Sequence, residues 1–339
     1  MSTPFFQVSR DAARALEEFS GEFKDALALG EVSPWSRDLG YVLDIANPVV
    51  KTTFPIPVDA AGYNEFKGDM KYRTLYHRSL SMKTKLWADG VEAPAAEIEA
   101  PDFIGWTDAP AAMAFEWMRQ ENIMVASMLE ANPLLDLYKD PDSNTASTIN
   151  LFSATHSFNV LDSSVGTFDN DIDTTEAQIL SGEFFKTIST YFRQLKGPNG
   201  KPGGYHMKGG SFLVHSDEEQ LFAEALERDT IINAITNAGA QNGTSSVVAA
   251  VGQSNRFKSA MSYVVGDELS VGARFYAIAA PKPGNHPWIV QKQSAPEEIV
   301  HDKTSDKYKD TGKVSIGYRG AGNAAGCLPQ RIVRVTITG

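Results

Sequence analysis

The stretch from Asp108 to Ala131 constrains this chain more than any other, because it carries one long helical period without a break. Asp108 stands at the N-cap position and Pro110 in the first turn. Ala114, Trp117, Met118, Val125, Met128 and Leu129 then form one apolar stripe, and Asn132-Pro133 ends it. At 1.5 Å per residue, about 24 residues make a rod of roughly 36 Å. Any fold built around such a rod must lay its other elements along it.

Those other elements change period several times. Near the start, Ser9 can cap a helix whose Ala12, Leu16, Phe19, Phe23 and Leu27 share a face, and Gly30 stops it. It lies ahead of a Pro34-Trp35 break with no evident core beside it, so it is expected to pack on a neighbouring copy. From Ala46 to Ala100 the character is extended, since Pro48, Pro55 and Pro57 forbid a helix at the start. Leu80, Met82, Thr84 and Leu86 alternate with Ser79, Ser81, Lys83 and Lys85; upstream, Tyr72, Thr74 and Tyr76 alternate with Lys71, Arg73 and Leu75. This predicts a hairpin-like extension, and a two-stranded ribbon is marginal in water unless it lies against something.

Further on, the spacing of Ala177, Leu180, Phe184, Ile188, Tyr191 and Leu195 predicts one helix from Thr175 to Lys196, ended by Gly197-Pro198. Ser211 to Val214 reads as a short strand, and Ser216 with Glu219 as a capping box for a helix carrying Leu221, Phe222, Ala225 and Leu226. The last third is strand-rich: Ala273 to Ala280, Trp288 to Gln291, Lys313 to Tyr318 and Arg331 to Thr338. Helices and strands follow no regular βαβ repeat, which makes the fold class α+β.

Composition narrows the function. Hydrophobic residues at 42% and charged residues at 22% suit a folded soluble protein. No stretch approaches the ~20 apolar residues that span a bilayer. Met1 to Arg10 lacks the pattern of a signal peptide, so a cytoplasmic life without membrane contact is expected. Cys327 is the only cysteine, which excludes an intramolecular disulfide and a zinc site of several thiolates. The 31 Lys and Arg against 42 Asp and Glu give a net charge of −11. That balance argues against a sequence-specific DNA binder and leaves open a container that merely tolerates DNA.

Motifs for chemistry are weak. Gly317, Gly320, Gly322 and Gly326 follow a strand but lead into another strand, with no helix N-terminus to face a phosphate. Asp169, Asp171 and Asp173 begin like a calcium loop, yet its glycine and glutamate positions hold Thr174 and Leu180, so a solvated acidic turn is expected. His77, His156, His206, His215, His286 and His301 show no i, i+4 ligand spacing, and Ser153 near His156 lacks a nucleophile elbow. No catalytic, cofactor-binding or metal residue is assigned.

Charge is distributed in blocks. Lys67, Lys71, Arg73, Arg78, Lys83 and Lys85 stand against the single acid Asp69; Asp89, Glu92, Glu97, Glu99, Asp102 and Asp108 follow with no base among them. These residues are candidates for contact between subunits, a basic ribbon meeting an acidic strip on a neighbouring copy. Such pairs set register and steer association more than they add affinity. The alternative is two solvated faces.

In this order the pieces resemble the major head subunits of tailed phages, most closely the Mu-like branch. The resemblance rests on Asp89-Gly90-Val91-Glu92 through Ile98 to Phe103-Ile104-Gly105 ahead of the long helix. It continues in Leu151-Phe152-Ser153-Ala154-Thr155-His156 and in a Gly-rich strand pair near Tyr318 and Arg334, covering roughly residues 40 to 339. It implies the tailed-phage capsid fold. Residues 1–45 would be an N-terminal arm and 46–95 an extended loop. Residues 96–139 with 286–320 would form a peripheral domain on a spine helix, and 140–285 with 321–339 an axial domain.

The resemblance further implies a non-enzymatic subunit without cofactors. It would assemble as hexamers and pentamers into an icosahedral head around double-stranded DNA, inside a bacterial cytoplasm. Implied partners are other copies, a portal, a decoration protein and a separate scaffold protein, since only one short helix precedes the arm. No cross-linking lysine is matched. An encapsulin-like nanocompartment shell is the near alternative, and a soluble α+β enzyme with a dispersed site is the alternative of another class.

Overall fold

A computed structural model describes residues 11–30, 32, 34–43, 49–57, 75–100, 106, 108–135, 149–158, 163–197, 200–234, 250–270, 272–281, 286–292 and 294–338. Helix α1 (Ala12–Leu29) is followed by α2 (Trp35–Leu39) and β1 (Tyr41–Leu43). Strands β2 (Val49–Pro57) and β3 (Leu75–Lys83) precede β4 (Lys85–Pro94), α3 (Ala95–Ile98) and α4 (Ala109–Ala131). The middle carries β5 (His156–Ser157), β6 (Thr167–Phe168), β7 (Asp171–Thr174), α5 (Glu176–Leu180) and α6 (Glu183–Gln194). Then come β8 (Gly210–Val214), α7 (Glu219–Glu227), β9 (Thr230–Ala234), β10 (Ala250–Ser254), β11 (Met261–Val265) and β12 (Arg274–Ile278). The chain closes with β13 (Trp288–Gln291), β14 (Glu297–His301), α8 (Asp306–Thr311), β15 (Lys313–Gly322), β16 (Ala324–Gly326) and β17 (Ile332–Ile337).

Helix α4 is the predicted rod, and it joins two cores. Its first half, with Ala114 buried, packs with α1, α3 and β15; its second half, through Met124, Val125, Met128 and Leu129, packs with Tyr276, Ile278, Trp288 and Ile332. Asn132 in the left-handed region ends the helix, whereas Asp108 makes no side-chain cap. Buried polar groups on α4 find partners at once. Glu121 takes Arg37, and the Asn122 side-chain oxygen accepts from the Ser36 amide at 3.3 Å. Trp288 donates its indole N–H to the Ser36 carbonyl at 2.9 Å, which locks α2 onto the same face.

Helix α1 corrects an expectation. Asp11, rather than Ser9, caps it by accepting from the Ala13 amide at 3.3 Å; Ser9 lies outside the described residues. Its face of Ala12, Ala15, Leu16, Phe19 and Phe23 is buried within the same chain against Ala95, Ile98, Ala114, Val314, Ile316 and Tyr318. The Phe23 and Tyr318 rings stack with centroids 3.6 Å apart. The apolar stripe was legible, but strand β15, which covers it, lies nearly 300 residues away.

The second core surrounds a five-stranded sheet of order β11-β8-β12-β17-β7. Strands β8 and β11 are parallel, as are β17 and β7, while β12 runs antiparallel to β8 and β17. Alternation by two divides its residues. Phe212, Val214, Phe275, Ala277, Val333 and Val335 face α5, α6 and α7, while Leu213, Tyr276, Ile278 and Ile332 face α4.

Three local expectations change here. The stretch from Thr175 to Lys196 is two helices, broken where Gly182 adopts φ 73°, a left-handed backbone that suits glycine. The break rotates the buried face to Ile179, Phe184, Phe185, Ile188 and Phe192, leaving Ala177 and Leu180 exposed. The predicted Ser216–Glu219 capping box does not form: α7 follows Glu218 without a side-chain cap, and His215 instead caps the one-turn 3-10 helix Ser216–Glu218 before it, its Nδ1 accepting from the Asp217 amide at 3.1 Å. Asp171 and Asp173 lie in strand β7 rather than in a solvated turn, and Arg334 donates to both oxygens of Asp171 at 2.8 and 2.5 Å.

A third sheet, β14-β15-β4, carries the N-terminal core on one side. Gly317 sits within it opposite Gly90; a Cβ at Gly317 would lie 2.7 Å from the Asp89 carbonyl oxygen, so backbone approach requires glycine there. Gly317, Gly320 and Gly322 therefore belong to one strand, with the turn only at Asn323. Strands β2 and β3 form a separate antiparallel ribbon, Val49 opposite Lys83 and Pro57 opposite Leu75. The ribbon's partner for 75–83 is thus 49–57, and the expected strand through Leu86 divides at Thr84.

Candidate assembly surfaces

The His156 region is a structural joint. His156 is fully buried, stacked on Phe168 with centroids 5.0 Å apart, and its Nε2 lies 3.1 Å from the Leu151 carbonyl oxygen. Ser153 Oγ meets Thr155 instead of a base, so no nucleophile pair forms here. Burial lowers the His156 pKa to about 4, against an unfolded value near 6.5. With the folded pKa depressed, its stabilisation is complete above pH 6.5 and is lost as pH falls through about 4. We expect about 3 kcal/mol of pH-dependent stability across that window. Denaturant unfolding of wild type and His156→Gln between pH 4 and 7 reads it as a difference in slope; parallel profiles would refute it.

Among the described residues no group of three or more His, Cys, Asp or Glu is placed to hold a metal ion. No described helix is long and apolar enough to cross a membrane. Cys327 is buried, and burial pushes its thiol up to about 12.

The charge blocks are distributed unequally. Lys67, Asp69, Lys71, Arg73 and Asp102 lie outside the described residues, and Arg78 is described only as the backbone partner of Phe54. Lys83 ends the ribbon and Lys85 begins β4; both are exposed. Lys85 Nζ lies 5.8 Å from the Trp87 ring centroid. The ribbon is anchored at this end, where Met82 packs on Ile289 and Cys327, and Asn323 donates to the Lys83 carbonyl at 2.7 Å.

Two acids of the strip have cations of their own chain. Glu92 pairs with Lys313 at 2.7 Å and Lys307 at 3.2 Å, which together hold its carboxyl below the usual range, and Glu99 pairs with Lys303. Asp89, Glu97 and Asp108 remain exposed. The acidic strip is therefore partly neutralised before any neighbour arrives. Leu86, 73% exposed between Lys85 and Trp87, adds an apolar point at the ribbon's root.

A further charged surface escaped the sequence analysis. Lys186, Arg193, Lys208 and Arg256 line one cleft of about 250 Å³ with Ser189 and Thr190, over a floor of Met207, Phe257 and Met261. No acid lines it. Among the described residues none of the four cations makes an ion pair, whereas Lys24, Arg37, Arg119, Arg228, Lys258 and Arg319 all do. Lys186, Thr190 and Arg193 share a helical face, a signal that was readable; Lys208 and Arg256 join them only through the fold.

No protein-family model matches this chain, and no curated protein matches it. Solved structures do. A subunit in the mature capsid of bacteriophage PhiM1 aligns with TM-score 0.50 at 11% identity, over 91% of this chain and 88% of that one. The capsid of a native GTA particle gives TM-score 0.50 at 10% identity, over 91% and 92%. A structure of Microbacterium phage Oxtober96 gives 0.50 at 9%, over 93% and 98%.

The chain thus has an α+β fold shared along nine-tenths of its length with these structures, two of which are described as capsids. It is the tailed-phage capsid fold. These likenesses do not single out the Mu-like branch.

Proposed function

We propose that this chain is a structural capsid subunit that self-assembles, as hexamers and pentamers, into an icosahedral head enclosing double-stranded DNA. The observation that carries this is the shared fold over nine-tenths of the chain, with the PhiM1 and GTA structures both described as capsids. The ribbon of β2 and β3 supports it. It is a two-stranded sheet of its own, anchored at its Met82 end, and such ribbons need an outside surface to lie on. In this assignment the ribbon of β2 and β3, within the proposed 46–95 loop, reaches to a neighbouring copy, α4 is the spine of a peripheral domain, and the five-stranded sheet is the axial domain.

Many weak contacts under closed symmetry suit such a subunit, because avidity accumulates while single errors can still dissociate. A separate scaffold protein, a portal and a decoration protein are the further partners this function implies, with virion assembly in a bacterial cytoplasm.

Negative-stain electron microscopy with size-exclusion chromatography tests the assignment. Closed shells, or rings of five and six, are the expected result; a small species at every salt and concentration would sink it and reopen the enzyme alternative. Nucleic acid inside native particles, rather than protein cargo, separates a head from an encapsulin-like shell. Lys83→Glu with Lys85→Glu is expected to leave the exposed ribbon root folded but lower particle yield about tenfold at moderate salt. Normal particles from that variant would remove the ribbon's charge from assembly.

A further inference from the structure

The five-stranded unit is electrically polar along two of its strands. Strands β8 and β11 run parallel in register, Gly210 opposite Met261 and Val214 opposite Val265. The cleft of Lys186, Arg193, Lys208 and Arg256 lies at their starting end, with Met261 in its floor and Lys208 just ahead of β8. Past their far ends stand Asp217 and Glu219, after β8, and Asp267, after β11, all three exposed. Five residues of strand separate the two ends by about 16 Å. Arg274 starts β12 at the acidic end and is outnumbered there, since Glu218 lies beside it, accepting from the Ala273 amide at 3.1 Å.

We infer that this cleft is the socket for the acidic end of a second copy, so that copies join head to tail through their five-stranded units. Four cations with no carboxylate between them among the described residues repel one another, and an incoming acid relieves that repulsion. Arg193 and Arg256 offer the planar fork that matches a carboxylate. The floor of Met207, Phe257 and Met261 offers an apolar surface to the methylene stems of Asp and Glu.

A second copy fits better than a nucleic acid. The chain as a whole carries 42 acids against 31 bases, so a long polyanion meets net repulsion from it. A short acidic corner enters without meeting that surface. Because socket and plug are different patches, the contact is heterologous, and repeating it closes a ring when the rotation permits. This assigns the contact within a capsomer and so rests on the capsid function proposed above.

Two complementary variants test it. Variant one carries Arg193→Glu and Arg256→Glu, and variant two carries Asp217→Arg and Glu219→Arg; all four side chains are exposed, and melting by circular dichroism verifies folding. In sedimentation velocity at low salt, each variant alone is expected to need about tenfold more protein than wild type to associate. Mixed in equal amounts they are expected to associate at the wild-type concentration, in even-membered rings, because the carboxylates introduced into one variant's socket then meet the guanidinium groups introduced into the other's plug.

Wild-type association by either folded variant alone, or no recovery on mixing, would overturn the socket. Loss of binding to a labelled duplex DNA by variant one, with unchanged association, would assign the cleft to phosphates and overturn it too. Recovery on mixing upholds the socket, whereas the capsid assignment is read from wild type, because alternating variants cannot close a ring of five; wild-type rings without closed shells would remove that assignment and leave the socket, so the two stand or fall separately.

Discussion

Phe23→Ala is expected to cost the isolated subunit about 3–5 kcal/mol, seen as a fall in the urea midpoint at unchanged slope. Phe23 is 1% exposed and stacks on Tyr318, with Phe19 beside it edge-on to Trp106 at 5.3 Å. Removing the ring leaves a void between α1 and β15, walled by a strand that is itself hydrogen-bonded on both sides. Such a wall relaxes little, so most of the cavity cost remains. If α1 were an arm that docks only on a neighbour, the subunit alone would lose nothing and only assembly would suffer. An unchanged midpoint would therefore restore the arm; the expected shift makes α1 part of the subunit's own core. Ser20 and Lys24 reinforce the position by meeting Glu298 at 2.8 and 3.1 Å, near the surface and with little energy of their own.

The second large effect lies at Asn170. Its side-chain amide nitrogen is placed to donate to the carbonyls of Leu151 at 2.9 Å, Pro329 at 3.2 Å and Ile332 at 3.3 Å, and its oxygen accepts from the Ser153 amide at 2.9 Å. The residue is fully buried, as are Leu151 and Ile332, whose carbonyls it meets, so no water replaces it readily. Asn170→Leu keeps the branching of the side chain while leaving the Ser153 N–H and at least one carbonyl without a partner. At about 1–3 kcal/mol for each orphaned group, a loss of about 3–5 kcal/mol is expected. It would free the Leu151–His156 loop from the start of β17, so hydrogen exchange at Ser153 should rise with it. A loss below about 1 kcal/mol would mean the loop holds by apolar packing alone.

Much of the fold was legible because period and punctuation report local geometry. The Asp108–Ala131 rod, the C-terminal strands and the α+β class follow from spacing, from Asn132-Pro133 and from branched residues in alternation. The apolar face of α1 was equally clear, yet its destination was not. Periodicity tells which side of an element is dry and says nothing of what covers it, and Val314, Ile316 and Tyr318 are too distant in sequence to be linked to it by pattern. The two-helix break at Gly182 was hidden for the opposite reason. A lone glycine costs a helix only about 1 kcal/mol, so the continuous apolar spacing outweighed it, while the chain's turn against the sheet required a left-handed residue.

Charge shows the division most plainly. Residue order alone records that bases precede acids between Lys67 and Asp108, and that acids exceed bases overall. Which of those charges remain available follows from the folded arrangement. It delivered Lys307 and Lys313 to Glu92 and Lys303 to Glu99, from more than 200 residues away, and it left Lys186, Arg193, Lys208 and Arg256 together without an acid. Coulomb energy depends on separation in space and on solvent between the groups, neither of which the order of residues along the chain records.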